Sequence, residues 1–328
     1  MVLAANPLAA GAPGSGSWQM NRPRTPLIIH HQGFLPYLPF CLMQNIRSQP
    51  GREIILLGDA KNRIPGLQYR HVDSGQFQSL NEQLIRSYRH ATDADFHDER
   101  RCLERWFILA AFLPTLDSGG FYFADSDYLL FSDLAEIEQV HPPEKLFGTP
   151  NLFGFAYFPD QNLIRQFCLW LLDLYGDEKR FSAMQEACRR EGGRLQEMTF
   201  IQAFCRETGL AISDRTWKAP GESACLDDGS FGSSFRYTKP FFQKIVQART
   251  GGEVSYRESG KQRRLVGLHF GGHKKNHIPA FTGWSPEVLA AFFRPNFRRN
   301  TKHLLQYLFF GEICRQKLRS QSSAPLFS

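Results

Sequence analysis

Residues 120 to 131 read Gly-Phe-Tyr-Phe-Ala-Asp-Ser-Asp-Tyr-Leu-Leu-Phe. An apolar, aromatic run, Gly120 to Ala124, is followed by Asp125 and Asp127 and then by a second apolar run, Tyr128 to Phe131. This pattern predicts a buried strand whose end carries two carboxylates. Burying an ionised carboxylate is costly unless a cation or hydrogen bonds compensate it. A divalent ion such as Mg²⁺ or Mn²⁺, which takes oxygen ligands, is the natural partner, and the alternative is a tight turn capped by aspartate.

Composition places the chain among globular proteins. It has 328 residues, of which 42% are apolar and 22% charged, enough for one large or two ordinary domains. The net charge of +7 favours an anionic ligand, nucleic acid or an anionic membrane surface without choosing among them. Seven cysteines without Cys-x-x-Cys spacing indicate reduced thiols. Because we find neither a membrane-spanning apolar run nor a secretory signal, we expect a cytoplasmic location.

Strands and helices alternate through the first part of the chain. We predict strands near residues 27–31, 53–57, 69–72 and 120–124, and helices near 36–48, 79–89 and 98–113. This alternation predicts an α/β fold with a mostly parallel central sheet flanked by helices. Ligands of such sheets bind beyond the carboxyl ends of the strands. His30, His31, Asp59, Asp125 and Asp127 all fall at such ends.

The chain divides into three predicted parts. Residues 1–24 are rich in Ala, Gly, Pro and Ser and are expected to form a disordered tail. Residues 25–290 form the main domain, with further helices near 163–175, 181–190 and 197–207, and a flexible loop at 221–234. Residues 291–328 form a basic amphipathic helical C-terminal extension, which either packs on the core as a solvated helix or makes a peripheral membrane contact.

A second informative segment, residues 269 to 275, reads His-Phe-Gly-Gly-His-Lys-Lys at the end of a predicted strand. Its glycines let backbone N–H groups approach an anion, its lysines add positive charge, and His269 can bind a metal. A nucleotide-triphosphatase phosphate loop is excluded because His273 stands where Lys is required. A zinc peptidase helix is excluded because no glutamate follows His269. An anion-binding turn and a plain surface loop remain.

The two segments together resemble a known family. Asp125-Ser-Asp127 and the later His269-Phe270-x-Gly272-x-x-Lys275 are similar to motifs of nucleotide-sugar-dependent glycosyltransferases of the GT-A fold, particularly the glycogenin-like and lipopolysaccharide galactosyltransferase-like group. The resemblance extends loosely over residues 26–276. It departs after Lys275, where Asn276-His277 replaces the family's Pro-Trp. The resemblance implies a GT-A-like fold with a Rossmann-like sheet.

The resemblance also implies an activity. The chain would be a metal-dependent glycosyltransferase that moves a sugar from a nucleoside-diphosphate sugar to an unidentified glycan, protein or lipid acceptor. Asp127 and His269 would bind Mn²⁺ or Mg²⁺ directly. Asp125 would contact either the metal or the ribose of the donor. Lys275 and the Gly272 N–H would hold the diphosphate.

Further residues acquire roles by the same resemblance. Arg105 would face the donor, although it also fits an ordinary helix-surface arginine. His30, His31 and Gln32 lie where the family receives the nucleoside. Glu197, in a segment similar to Asp-Met-Thr, is a candidate catalytic carboxylate together with Asp125, either stabilising the transition state or orienting the acceptor. A glutamate in the first turn of a helix is also favoured by the helix dipole alone.

A second function class stays open from the sequence. A non-catalytic protein of the same fold would use its basic, aromatic surface to dock on nucleic acid or a membrane. This alternative depends on charge alone, since no nucleic-acid-binding motif stands out, and a nucleic-acid partner is not expected.

Overall fold

The computed structural model describes residues 24–92, 95–139, 141, 143–148, 154–212, 216–219, 222–226, 246–248, 254–258 and 261–271, and the single residues 275, 278 and 282. The helices within these ranges are α1 Leu38–Ser48, α2 Asn81–Ser87, α3 Phe96–Phe112, α4 Ala135–Glu138, α5 Asn162–Gly176, α6 Glu178–Arg190 and α7 Glu197–Thr208. The strands are β1 Leu27–His30, β2 Ile54–Gly58, β3 Arg70–Asp73, β4 Phe121–Asp125, β5 Tyr128–Leu130, β6 Phe147–Gly148, β7 Phe155–Phe158, β8 Thr216–Ala219, β9 Glu222–Leu226, β10 Val246–Ala248, β11 Val254–Glu258 and β12 Lys261–His269.

The first sheet has six strands in the order β3-β2-β1-β4-β7-β6. The four strands from β3 to β4 are parallel, and β7 pairs antiparallel with both β4 and β6. Parallel neighbours require crossover connections. Helix α1 lies in the connection from β1 to β2, and α2 and α3 lie in the connection from β3 to β4, whereas residues 59–69 join β2 to β3 without a helix. The predicted α/β class with a mostly parallel central sheet is therefore confirmed.

Strand β4 is buried on both faces, as expected for a central strand of a parallel sheet. Successive side chains of a strand point to opposite faces. Phe121 and Phe123 accordingly lie in the core formed with α3, α5 and α7, whereas Tyr122 and Ala124 lie in the core formed with α1. The indole of Trp106 on α3 packs on Phe123 with ring centroids 5.0 Å apart. This packing fixes the end of β4, and with it Asp125.

A second sheet follows the order β10-β11-β12-β9-β8. Its long strand β12 also pairs antiparallel with β5, the short strand that directly follows Asp127. In this pairing His269 lies opposite Tyr128. The expectation of a flexible loop over residues 221–234 is wrong for its first part, because Glu222–Leu226 form β9 between β8 and β12. The Gly- and Ser-rich composition that predicted a loop carries no information about the partner strands that pair there.

The two ends of the chain lie outside the residues that the structure describes. The predicted tail lies, up to residue 23, outside the described residues, and the predicted C-terminal extension, 291–328, lies entirely outside them. Among the helices that the structure describes, none is long and apolar enough to cross a membrane.

Candidate metal and anion site at the carboxyl edge of the sheet

The carboxyl ends of the parallel strands meet at one edge, as their order predicts. His30 at the end of β1 is in register with Asp125 at the end of β4 and with Leu57 of β2. Just beyond these ends, the Gly33 N–H donates to Asp59 Oδ2 at 2.7 Å. His30 and Asp125 thus end β1 and β4, His31 and Asp59 directly follow β1 and β2, and Asp127 lies two residues after β4, as the sequence predicts.

Two carboxylates and one imidazole converge there. Asp125, Asp127 and His269 each offer one ligand atom, and these atoms lie within 4.8 Å of one another. His269 Nε2 is 3.1 Å from Asp127 Oδ1 and 3.6 Å from Asp125 Oδ2. All three residues are buried, at 9%, 4% and 4% exposure respectively. The arrangement brings together the three residues that the sequence motifs single out as metal ligands.

The pairing of β5 with β12 positions His269. The Asp127 carbonyl accepts a hydrogen bond from the Phe270 N–H at 3.1 Å, so the aspartate turn and the end of β12 are tied directly. The imidazole stacks on the Tyr128 ring with centroids 6.0 Å apart. These contacts leave the ring little freedom beside the carboxylates.

Two glycines make room for this packing. Gly154, at φ +86°, has the His269 ring atoms Cγ and Nδ1 3.1 Å from where a Cβ would stand, and its carbonyl accepts the Asp125 N–H at 2.8 Å. A side chain at Gly267 would overlap the Tyr128 ring. Sequence reasoning did not single out either glycine, although a glycine beside a strand is a signal of close backbone approach.

Lys275 and His269 both contact the carboxylate of Asp127. Its Nζ is 2.9 Å from Asp127 Oδ2 and 5.1 Å from the centre of the Tyr37 ring. Burial raises the pKa of Asp127, but His269 and Lys275 outweigh that effect and hold the pKa below its ordinary value. Asp127 is therefore an anion in this setting.

Arg105 joins the other aspartate to Glu197. From α3 its Nη1 donates to Asp125 Oδ1 at 2.5 Å, and its Nε and Nη2 lie 2.8 and 2.6 Å from Glu197 Oε1. The guanidinium also lies over the Trp106 and Phe123 rings, 5.3 and 5.7 Å from their centres. Arg105 is thus no ordinary surface arginine, because carboxylates and aromatic rings hold it at the edge of the sheet.

Glu197 begins α7 and is buried, at 6% exposure. Its Oε1 also accepts the indole N–H of Trp106. Burial raises the pKa of Glu197 above its ordinary value, while Arg105 opposes that shift. The contacts of Glu197 to Arg105 and Trp106 hold the guanidinium beside Asp125.

The residue between the two aspartates is also anchored. Ser126 Oγ is hydrogen-bonded to His31 Nδ1 at 2.8 Å and to Tyr37 OH at 3.3 Å. These contacts fix the turn that presents Asp125 and Asp127. Sequence reasoning missed Ser126 and Tyr37, since the middle residue of Asp-x-Asp is unspecified and Tyr37 lies in a predicted helix.

The two histidines at the end of β1 are neutral: His30, its last residue, is half-buried, and His31, which follows it, is buried. Burial, with Arg105 adding to the effect, lowers the pKa of His30 from 6.5 to about 3. Burial and Lys275 lower the pKa of His31 to about 4. In the described part of the chain neither Nε2 has a hydrogen-bond partner. Buried polar atoms normally have a partner, so these two nitrogens are candidates for contact with a ligand.

The remaining predicted site residues differ in placement. Gln32 is exposed beside the two histidines. Gly272 lies outside the described residues, as do residues 273 and 274 of the basic turn. Of that turn, the structure brings His269 and Lys275 to the aspartates.

The donor set fits a divalent cation. Carboxylate oxygens and an imidazole nitrogen are ligands for Mn²⁺ and Mg²⁺, and all three residues are held in place by the contacts above. Because Lys275 is paired with Asp127, a cation that binds there would compete with the Lys275 ammonium for this carboxylate.

Comparisons with known proteins give fold-level matches alone. No protein-family model and no curated protein matches the chain. Among solved structures, the chain is similar to mouse xyloside xylosyltransferase 1, with 9% identity, a TM-score of 0.39, and coverage of 59% of this chain and 86% of that one. It is also similar to the galactosyltransferase LgtC, with 11% identity, a TM-score of 0.45, and coverage of 84% and 99%. The bifunctional glycosyltransferase WbbM matches with 11% identity, a TM-score of 0.43, and coverage of 82% and 51%.

These proteins are sugar transferases by name, the class that the two sequence motifs resemble. With TM-scores below 0.5 the likeness carries no weight for function, which depends on the side chains at the edge of the sheet.

Proposed function

We propose that the chain is a metal-dependent glycosyltransferase that uses a nucleoside-diphosphate sugar. The observation that carries this proposal is the convergence of Asp125, Asp127 and His269 with Lys275 at the carboxyl edge of a mostly parallel sheet. Such edges are where open α/β sheets bind ligands. The site combines ligands for a hard cation with the positive charges of Lys275 and Arg105, which suits a diphosphate.

The proposed roles follow from the contacts. Asp125, Asp127 and His269 would hold Mn²⁺ or Mg²⁺, which supplies positive charge to the diphosphate leaving group. Lys275, with the Gly272 N–H, would bind the diphosphate as a point charge. Arg105, held by Asp125 and Glu197, would present its guanidinium to the donor.

The nucleoside would lie beyond β1. His30 and His31, each neutral with a buried Nε2 that has no hydrogen-bond partner in the described residues, would contact it together with exposed Gln32. Each nitrogen of a neutral imidazole either donates or accepts a hydrogen bond, depending on the tautomer, so the two Nε2 atoms suit the mixed donors and acceptors of a ribose and base.

Glu197 would support transfer from the acceptor side. Its carboxylate is buried beside Arg105, and we propose that it orients the guanidinium toward the reacting sugar. A cytoplasmic location belongs to the same proposal, and the basic composition of the chain supports a peripheral membrane contact through residues 291–328.

The test is an activity screen. Purified protein is incubated with Mn²⁺ and a panel of uridine- and guanosine-diphosphate sugars, and released nucleoside diphosphate is measured. We expect release with a subset of donors, and loss of release on removal of Mn²⁺ with a chelator or in the isosteric variant Asp127→Asn.

A matched control separates site from fold. Asp173→Asn removes the same charge from an exposed residue of α5 that pairs with Arg180. We expect it to keep activity. If no donor is turned over and calorimetry detects no Mn²⁺-dependent binding of any donor, the proposal is wrong.

A further inference from the structure

The carboxylates of the site already have basic partners from within the chain. Arg105 lies on Asp125 and Glu197, and Lys275 lies on Asp127. Two basic groups thus face three carboxylates, which leaves little net negative charge to attract a divalent cation. A cation that approaches Asp127 meets a carboxylate that is already paired, and is repelled by the Lys275 ammonium.

The two basic partners differ in their freedom to move. Arg105 is enclosed, with 15% of its side chain exposed, and makes contacts to two carboxylates and two rings. The Lys275 side chain is 32% exposed and carries its ammonium on a flexible four-carbon stem, while the side chain of its partner Asp127 is 6% exposed. The ammonium can therefore leave toward solvent, whereas the carboxylate cannot follow it.

A diphosphate is a stronger attractant for the ammonium than one carboxylate. It offers several anionic oxygens, and lysine binds phosphate as a point charge. If Lys275 turns from Asp127 to a diphosphate, Asp127 Oδ2 is released beside His269 and Asp125. The movement that completes the anion site thereby also strengthens the cation site.

We propose that Lys275 is an exchangeable counter-ion, which neutralises Asp127 until a diphosphate draws it away. A divalent cation and a diphosphate then each strengthen the binding of the other, as reciprocal coupling between two sites requires. The inference depends on the proposed function for the two ligands, but not on transfer of a sugar.

The test measures binding of Mn²⁺ and of inorganic pyrophosphate separately. Calorimetry gives the affinity for Mn²⁺ alone. Equilibrium dialysis with labelled pyrophosphate gives its affinity for the protein at a series of Mn²⁺ concentrations. Complex formation between the two ligands in solution is the same for every variant, so comparison between variants isolates the contribution of the protein.

The key variant is Lys275→Met, which removes the ammonium and keeps the stem. We expect it to bind Mn²⁺ alone about tenfold or more tightly than the wild type, because one charge is removed next to a ligand. We also expect pyrophosphate to bind more weakly and with a smaller Mn²⁺ dependence. Lys179→Met, which removes the same charge from exposed α6, should bind Mn²⁺ like the wild type.

The outcomes separate this inference from the proposed function. Unchanged or weaker Mn²⁺ binding by Lys275→Met, with Mn²⁺ binding present in the wild type and lost in Asp125→Asn, overturns the counter-ion role and leaves the metal site standing. Absence of Mn²⁺ binding from the wild type and from Lys275→Met alike overturns both. Thermal unfolding of each variant checks that the fold is retained, and Lys275→Gln repeats the test if Lys275→Met does not fold.

Discussion

Gly154→Ala is expected to damage the site through His269. Gly154 has a φ of +86°, where a side chain is strained, and a Cβ there would lie 3.1 Å from two His269 ring atoms and 3.2 Å from the Tyr128 ring. The strain of a left-handed alanine costs roughly 1–2 kcal/mol. Crowding two buried rings adds roughly 1–3 kcal/mol. We therefore expect a total loss of about 2–5 kcal/mol in the free energy of unfolding.

Gly51→Ala is the matched control. Gly51 has a similar φ of +73°, but no atom lies within 4 Å of its Cβ position. This variant should lose only the strain energy, roughly 1–2 kcal/mol, and should bind Mn²⁺ like the wild type. The difference between the two variants isolates the contact with His269.

Urea unfolding and calorimetric titration with Mn²⁺ measure both quantities. His269 Nε2 lies 3.1 Å from Asp127 Oδ1, so a shift of the ring by a few tenths of an ångström alters the geometry of the ligands. We expect weaker Mn²⁺ binding by Gly154→Ala. Equal losses of stability in the two variants, together with wild-type Mn²⁺ affinity in Gly154→Ala, would refute the idea that this glycine holds His269 in place.

Three further predictions concern the titratable and basic side chains of the site. Asp127→Ala should leave the fold intact and abolish Mn²⁺-dependent binding of donor, and undiminished Mn²⁺ dependence in calorimetry would contradict its role as a ligand. Arg105→Met should lower the free energy of unfolding by roughly 3–5 kcal/mol, because Asp125 and Glu197 stay buried without a cation. Urea unfolding should show a smaller loss at pH 5 than at pH 8, since burial raises the pKa of Glu197 and a protonated carboxyl needs no cation. The pKa of His31 is about 4 in the folded chain, against an ordinary value of 6.5, so the unfolded chain binds more protons between these two pH values. Lowering the pH from 7 to 5 should therefore destabilise the wild type by roughly 1–2 kcal/mol more than it destabilises His31→Asn. Identical pH dependence of the two proteins would show that burial does not keep His31 neutral.

The bounds of the helices and strands around the site show which parts of the fold the local sequence pattern predicts. The helix expected over residues 98–113 is α3, Phe96–Phe112, which begins where the Asp95 side chain accepts the N–H groups of His97 and Asp98. The strand expected after Gly120 is β4, Phe121–Asp125. Both follow from hydrophobic periodicity and capping, which are properties of neighbouring residues. Of the second sheet, the sequence predicted the strand that ends at His269. It missed the local hairpins β8–β9, β10–β11 and β11–β12, and the pairings of β12 with β5 and β9, which join distant segments.

The sequence by itself determined the α/β class, the strand ends that carry His30, Asp59 and Asp125, and the motifs at Asp127 and His269. Those features depend on the local order of apolar, polar and glycine residues. The resemblance implied that Asp127 and His269 share a metal, but only the tertiary structure decided how these side chains meet and that Arg105 pairs with Asp125 and Glu197. His269 and Asp127 are 142 residues apart and meet because β5 and β12 pair, and Arg105 and Glu197, 92 residues apart, meet because α3 and α7 pack together. Contacts at such separations depend on how whole elements pack, which no local pattern encodes.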